Sequence, residues 1–339
     1  MNILVTGANG FIGAYLCKCL IEHDFYVNAM VRKTSNLSLL KDLIPNLENN
    51  SKIKLVFGDV VDLESIKQNI TDVEYIFNIA GVIKGLKRED FNNVNVNGSL
   101  NIIKAIIDLK LENKIKKVIF ISSAAAAGPS AVPLSEDQTP NPIKGDLYGE
   151  SKFKMEEEVL KYKDQIPIVI IRPPTVLGGG DLVSVDLFKV PKKGFKLIVG
   201  RKPKYYSIVD VRDLVDALYK IALSPTKSGD IFYVTSVESI EWGLLQEIIA
   251  QQVFNRTKKL RKLVIPEKIA IFLGSLITFF GKIFKKTPFL NKPKMLEAAA
   301  PSWINSRKKL EQLLGWKPKY SIEEIVKDAG EWYKNKRMI

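Results

Sequence analysis

Residues 6–13 read Thr6-Gly7-Ala8-Asn9-Gly10-Phe11-Ile12-Gly13 and stand between a short apolar run, Ile3 to Thr6, and an amphipathic stretch from Phe11 to Glu22. No other segment narrows the fold as much, because a glycine-rich turn between a strand and a helix is the context that a dinucleotide loop requires. Gly7 allows the tight turn, Gly10 lets backbone N–H groups approach a pyrophosphate, and Gly13 lets the helix lie close to the sheet. The helix N-terminus adds its positive dipole. Gly7, Asn9, Gly10, Phe11, Ile12 and Gly13 are therefore the first cofactor-binding candidates. The competing reading is a flexible strand-to-helix turn.

The rest of the first half repeats the rhythm. Short β-branched runs at Val27 to Val31, Ile53 to Phe57, Tyr75 to Ile79, Lys117 to Ser122 and Ile166 to Ile171 alternate with helical patterns at Leu63 to Ile70, Phe91 to Leu109 and Leu147 to Lys161. That is an α/β chain with a doubly wound parallel sheet covered on both faces. With 339 residues, 46% of them hydrophobic, the chain can bury a full core. The expected nucleotide-binding domain takes 1–175 and about 206–235, where Asp210 reads as an N-cap with Asp213 three residues on. A smaller C-terminal substrate lobe is expected from about 176–205 and 236–330.

Where an NAD-preferring site offers an acid to the adenosine ribose, this chain reads Val31-Arg32-Lys33-Thr34-Ser35. Arg32, helped by Lys33 or Ser35, suits a 2′-phosphate, so NADP(H) is favoured over NAD(H). The alternative is that Arg32 stacks over the adenine of either cofactor. Gly58-Asp59-Val60 follows the third strand and places the Asp59 carboxylate where it can accept from the adenine amino group.

Proton-transfer chemistry is suggested by Ser122-Ser123 at a strand end and by Tyr148-Gly149-Glu150-Ser151-Lys152 at a helix start. On a helix, Tyr148 and Lys152 share one face. A tyrosine with an ordinary pKa of about 10 is a poor base at neutral pH, and a neighbouring ammonium favours the tyrosinate. The catalytic candidates are Ser123 to hold the substrate oxygen, Tyr148 to carry the proton and Lys152 to tune it, with Ser122 the rival to Ser123. Taken alone, Tyr-x-x-x-Lys is a common pattern on solvated helix faces; the glycine loop and serine pair before it give it weight.

With these motifs in order, the chain resembles the extended short-chain dehydrogenase/reductase family, also called the NAD-dependent epimerase/dehydratase family. The resemblance is carried by Thr6 to Gly13, Gly58-Asp59-Val60, Asn78-Ile79-Ala80-Gly81, Asn95-Val96-Asn97-Gly98-Ser99, Ser122-Ser123, Tyr148 to Lys152, Arg172-Pro173-Pro174-Thr175-Val176 and Leu314-Gly315-Trp316-Lys317-Pro318. It implies a Rossmann fold in which Ala80 and Gly81 border the cofactor and Asn95 braces the site. It further implies that Lys152 binds the nicotinamide ribose and that Pro173 to Thr175 pass the carboxamide. A homodimer through the Phe91 and Leu147 helices is also implied.

Within that family, dehydratases carry Thr-Asp-Glu where this chain reads Ser123-Ala124-Ala125, so no carboxylate is present for dehydration. The arginines with which many epimerases clamp a nucleotide diphosphate have no clear counterpart near Lys202-Pro203-Lys204-Tyr205-Tyr206 or Ala300-Pro301-Ser302-Trp303, although Arg201, Lys202 or Lys204 are substitutes to consider. The Ala124 to Ala127 run, before Gly128-Pro129, resembles the 3β-hydroxysteroid dehydrogenase and dihydroflavonol reductase branches. The expected reaction is alcohol/ketone interconversion on an apolar, sterol-, flavonol- or lipid-like small molecule. The alternatives are a sugar-nucleotide epimerase and a non-catalytic NADP-binding redox sensor. For the alanines, plain packing of the strand end stands beside the substrate-wall reading.

The net charge of +14 invites a nucleic-acid reading, but no zinc-finger spacing or aromatic RNA-binding motif accompanies it, so no nucleic-acid partner is expected. The excess is concentrated at 255–296, where eleven Lys or Arg face one acid, Glu267. Inside that stretch, Ile269 to Phe280 is uncharged for twelve residues, too short for the roughly 20 needed to span a bilayer. Residues 258–286 therefore read either as a helix buried in the substrate lobe or lining its pocket, or as a peripheral membrane contact. Cys17 and Cys19 point apart on a helix, and the lone His23 has no ligand set, so neither a disulfide nor a metal site is expected. The opening Met1-Asn2-Ile3-Leu4-Val5 lacks the features of a secretory signal, which sets the expectation of a cytoplasmic protein, peripheral on the inner membrane face if 258–286 touches lipid.

Overall fold

The computed structural model describes residues 1–284 and 291–339. Among these the strands are, in chain order, β1 (Asn2–Thr6), β2 (Tyr26–Val31), β3 (Ile53–Phe57), β4 (Tyr75–Asn78), β5 (Lys117–Ile121), β6 (Ser130–Leu134) and β7 (Ile168–Arg172). They continue with β8 (Thr175–Leu177), β9 (Phe195–Val199), β10 (Tyr205–Asp210), β11 (Asp230–Tyr233), β12 (Val237–Glu241), β13 (Arg261–Ile265) and β14 (Trp303–Asn305).

The chain divides into two compact units. The first comprises Met1–Ala126, Tyr148–Arg172 and Val215–Phe232 and carries a seven-stranded sheet in the order β11-β7-β5-β4-β1-β2-β3. The strands from β3 through β2, β1, β4 and β5 to β7 run parallel, as their unbroken apolar runs require of strands buried on both faces. Strand order reverses between β1 and β4, and at such a switch point the carboxyl ends of the strands open a crevice. The helices Phe11–Glu22 and Leu63–Ile70 have the bounds read from the sequence. The expected Phe91 to Leu109 helix is instead a short helical turn, a π-helical segment at Asn92–Asn97 and an α-helix at Gly98–Asp108. The wide turn carries Asn95, and Gly98 passes Val60 so closely that a Cβ on it would meet the Val60 side chain at 2.7 Å.

The second unit comprises Ala127–Leu147, Pro173–Leu214 and Tyr233–Ile339 and is as long as the first, not a smaller lobe. The expected boundaries shift for one reason: β6 pairs with β14, and β10 with β12, β14 and β8, in a sheet that the second unit owns. Residues 127–147 and 206–214 therefore leave the nucleotide unit. Phe188, Ile208, Leu245, Ile249, Ile325 and Tyr333 lie in its core. Asp210 receives the backbone N–H of Arg212 as expected of a cap, whereas Asp213 accepts from Ser236 Oγ and from the backbone N–H groups of Lys319 and Tyr320. Asp213 thus fastens the segment after the buried Trp316.

Burial of the Ile269 to Phe280 stretch is not what the structure has. It forms most of the Glu267–Ile283 helix and leaves Phe272 and Phe279 about three-fifths exposed, at 62% and 60%. Among the described residues no helix is long and apolar enough to cross a membrane. Lys285 and Lys286, counted with this stretch above, lie outside the described residues.

Within the first unit the most demanding electrostatic feature is an ion pair between Arg172 at the end of β7 and Glu156 on the Leu147–Leu160 helix, each side chain 2% exposed. The guanidinium donates through Nε and Nη2 at 2.9 and 2.6 Å. Removing one partner strands a buried charge, which typically costs about 3–5 kcal/mol, whereas replacing both with apolar groups is far milder. Arg172→Met is therefore expected to lower unfolding free energy by about that amount, and Glu156→Leu/Arg172→Met to recover most of it, in denaturant titrations.

Candidate active site

The phosphate loop is built by close approach. Gly7 sits at φ +65°, and a Cβ there would meet the backbone of Ala80 at 2.9 Å. A Cβ on Gly13 would collide with the carbonyl of Gly7, so Gly13 closes the helix onto its own loop rather than onto the sheet as expected. Gly10 N–H donates to Gly7 O at 2.9 Å, and Gly10 caps the helix with no side-chain hydrogen bond. The first-turn amides of a helix have no intrahelical acceptors, so this bare end is suited to an anion. The cradle thus fits a dinucleotide pyrophosphate. Asn9, Phe11 and Ile12 are half-buried around it, with Asn9 Nδ2 donating to Asn36 O at 3.3 Å.

Beneath the loop, a chain of buried hydrogen bonds joins the two strands of the switch point. Ala80 N–H donates to Thr6 Oγ1, Thr6 Oγ1 to Asn78 Oδ1, Asn78 Nδ2 to Ser99 Oγ, and Ser99 Oγ to Asn95 O, at 2.7–3.1 Å. Each hydroxyl and amide is satisfied, which makes such a network rigid. Asn95 braces the next segment: its Oδ1 accepts from Val82 N–H, and its Nδ2 donates to Val82 O and to Ser151 Oγ.

Past β2, Arg32 and Lys33 are exposed, and Ser35 Oγ accepts the Arg32 N–H. Arg32 makes no ion pair among the described residues, so its guanidinium is available to a phosphate. Asp59 is half-buried, with Oδ1 accepting the Val61 N–H. Val60, read with Asp59 as a cofactor-binding residue, is 4% exposed and has its side chain in the core against Gly98, which leaves its backbone as the part that can face a cofactor.

Lys152 is 5% exposed, and its Nζ donates to Ile121 O at 2.7 Å, two residues before Ser123. Burial pushes the ammonium down to about 8, and the Glu156 carboxylate acts in the opposite direction. The same Nζ would lie 3.3 Å from a Cβ on Gly81, which places Gly81, Asn95 and Lys152 around one point. Tyr148 stands one helical turn before Lys152 and is half-buried. Ser123 Oγ accepts the Ala125 N–H and remains partly accessible. A low pKa alone does not mark a site: burial also pushes Lys117 down to about 8, yet its Nζ caps helix carbonyls at Ile221 and Ser224.

Ser122, the rival to Ser123 and a further cofactor-binding candidate, is 1% exposed and its hydroxyl donates to Glu156, so that hydroxyl is not presented to a substrate. For the alanine run, burial favours the packing reading over the substrate wall. Ala124 to Ala127 form a helical turn in which only Ala125 escapes full burial, so packing accounts for most of it. Pro173 and Thr175 belong to the second unit, where Pro173 is buried and Thr175 opens β8 beside Ile208 of β10. Glu156 and Arg172 received no role from the sequence, although Tyr148, Lys152 and Glu156 recur at i, i+4 and i+8 and so share a stripe. No group of His, Cys, Asp and Glu able to hold a metal occurs among the described residues.

The sequence profile of the NAD dependent epimerase/dehydratase family matches residues 3–234. A sterol-4-alpha-carboxylate 3-dehydrogenase (decarboxylating) of Candida albicans is 26% identical, with 98% of this chain and 97% of that protein covered. A UDP-glucose 4-epimerase of Vibrio cholerae is also 26% identical, covering 97% of this chain and 94% of that protein. Among solved structures, a UDP-glucuronic acid 4-epimerase of Bacillus cereus in complex with UDP-glucuronic acid and NAD superposes with a TM-score of 0.73 at 20% identity, covering 99% of both chains. At that identity the likeness establishes the fold.

The folded-state pKa of Lys152 lies below its ordinary value of 10.5, so the charged form is disfavoured by folding. That cost is present in full below pH about 8 and fades as pH rises toward the ordinary value. Lys152→Met should therefore raise thermal stability at neutral pH, with a gain that shrinks in alkaline solution, while turnover is lost. Unfolding temperatures measured across this range check it; a methionine variant less stable at pH 7 would contradict the assignment of cost.

Proposed function

Because this chain belongs to the NAD dependent epimerase/dehydratase family, we propose that it interconverts an alcohol and a ketone on an apolar, sterol-, flavonol- or lipid-like substrate. The observation that carries the reading is the buried Lys152, tied to Ile121 O at the strand end that presents Ser123 and one helical turn from Tyr148. When bound, a nicotinamide cofactor supplies or accepts the hydride. The chain's own residues handle the oxygen and its proton. Ser123 Oγ orients the substrate oxygen, and Tyr148 Oη donates its proton when the alcohol forms and accepts one when it is oxidised. The Lys152 ammonium favours the tyrosinate by its charge. The helix end at Gly10 holds the pyrophosphate, and Arg32, with Lys33, receives the 2′-phosphate of NADP(H), the favoured cofactor.

Two features support a substrate without a nucleotide diphosphate. Lys204, one substitute for a clamping arginine, is 6% exposed and committed to Ala298 O and Glu267. The likeness to the Candida sterol dehydrogenase also runs nearly end to end. The epimerase reading keeps the support of the equally similar Vibrio relative, and the experiment separates them.

Ketone reduction by NADPH, assayed over sterol, flavonoid and aliphatic ketones, should show turnover that falls at least about a hundredfold in Tyr148→Phe with NADPH affinity unchanged. Arg32→Ala should weaken NADPH and spare NADH. Full turnover in Tyr148→Phe would overturn the mechanism, and interconversion of a nucleotide sugar without net redox change would assign the site to epimerisation.

A further inference from the structure

The Glu267–Ile283 helix is built inside out. Ile269, Phe272, Leu273, Leu276, Phe279 and Phe280 recur at the spacing of one helix face, and all six are exposed. Its opposite face centres on small residues, with Ala270, Gly274 and Gly281 buried and Ile271, Ile277 and Thr278 partly buried beside them. A Cβ on Gly274 would meet Met295 Cγ at 2.6 Å, so the small face is the one fitted to the Lys292–Ala299 helix. A helix serving only a core would bury its large side chains and expose its small ones. Three phenylalanines facing outward on one stripe form a patch of the kind that marks an interaction surface.

The charge around the patch identifies the partner. Between 255 and 296 the sequence holds eleven basic residues and one acid, and that acid, Glu267, lies 3.1 Å from the Lys204 ammonium. Lys258, Lys259, Arg261 and Lys262 are exposed on the approach to and along β13, and Lys268 is exposed on the helix itself. A second copy of the chain is a poor occupant, because a two-fold dimer sets the same patch against itself and would bring two strongly basic surfaces together. The uncharged run is too short to span a bilayer and amphipathic enough to lie in its interface.

We propose that this helix and the basic segment before it dock the protein onto an anionic lipid surface. The phenylalanine stripe enters the acyl boundary, and the lysines and arginines stay among the headgroups. The inference goes beyond the proposed reaction and does not depend on it.

The test is flotation of the full-length protein with vesicles of phosphatidylcholine alone and of phosphatidylcholine mixed with phosphatidylglycerol. The protein should float with the mixed vesicles, much less with the neutral ones, and less as salt rises. Phe272→Ser/Phe279→Ser should reduce the bound fraction more than about tenfold, and Lys258→Gln or Lys262→Gln about fivefold each. These side chains are exposed, so cofactor affinity and unfolding temperature should stay as in the unsubstituted protein. Failure to float with the mixed vesicles, or flotation of the double variant like the parent, would overturn the proposal. A dimer that dissociates in the double variant, with no flotation by the parent, would assign the face to a second copy instead.

Discussion

Gly13 stands where any side chain would strike the carbonyl of Gly7, and Gly7 stands where a side chain would press on the backbone of Ala80. The nucleotide unit is organised by these two contacts. They bring the turn after β1, the first turn of the Phe11–Glu22 helix and the end of β4 to one point, the place where strand order reverses. Once the backbones are that close, Thr6 can reach both Ala80 N–H and Asn78, and the hydrogen-bond chain through Ser99 to Asn95 follows. Asn95 in turn positions the Val82 segment and Ser151, one residue before Lys152. The anion cradle and the lysine are therefore two ends of one rigid polar network, a favourable arrangement for chemistry that tolerates little misplacement.

The helix that carries Tyr148 is held by costly means. Lys152 is buried against the Ile121 carbonyl, and one turn further on Glu156 is neutralised by Arg172 and bonded by Ser122. The ion pair fixes the helix against β7, while the burial of Lys152 disfavours its charge and holds that charge at Ile121 O, two residues before Ser123. This division is common where function and stability compete: the strained group does the chemistry, and its neighbours compensate.

Much of the first unit was legible because each of its elements has its own local signal. The helices Phe11–Glu22 and Leu63–Ile70 are bounded by a glycine turn and by an Asp62 cap, and the buried strands are apolar without interruption. The second unit was less so, because its sheet pairs segments far apart in sequence. Strand β6 is mostly exposed and reads as loop until β14, some 170 residues later, pairs with it. Position in the motif places Ser123 ahead of Ser122; the physical reason is visible only in the fold, where the pleat at the end of β5 turns Ser122 toward Glu156. The alanines after them read as a wall until a helical turn buried most of them. The apolar run at 269–280 reads as buried by composition, and only the fit of Gly274 against Met295 shows which face turns inward.

Everything proposed for the reaction presupposes that the loop between β1 and the first helix receives a dinucleotide at the uncapped helix end. The most direct test is calorimetric titration of the protein and of Gly13→Ala with NADPH and NADH. A saturable isotherm for at least one cofactor, lost in a Gly13→Ala variant that still unfolds cooperatively, is the predicted result. Equal binding by the two proteins would show that the closure of the loop on Gly13 is not what holds the cofactor, and would contradict the account.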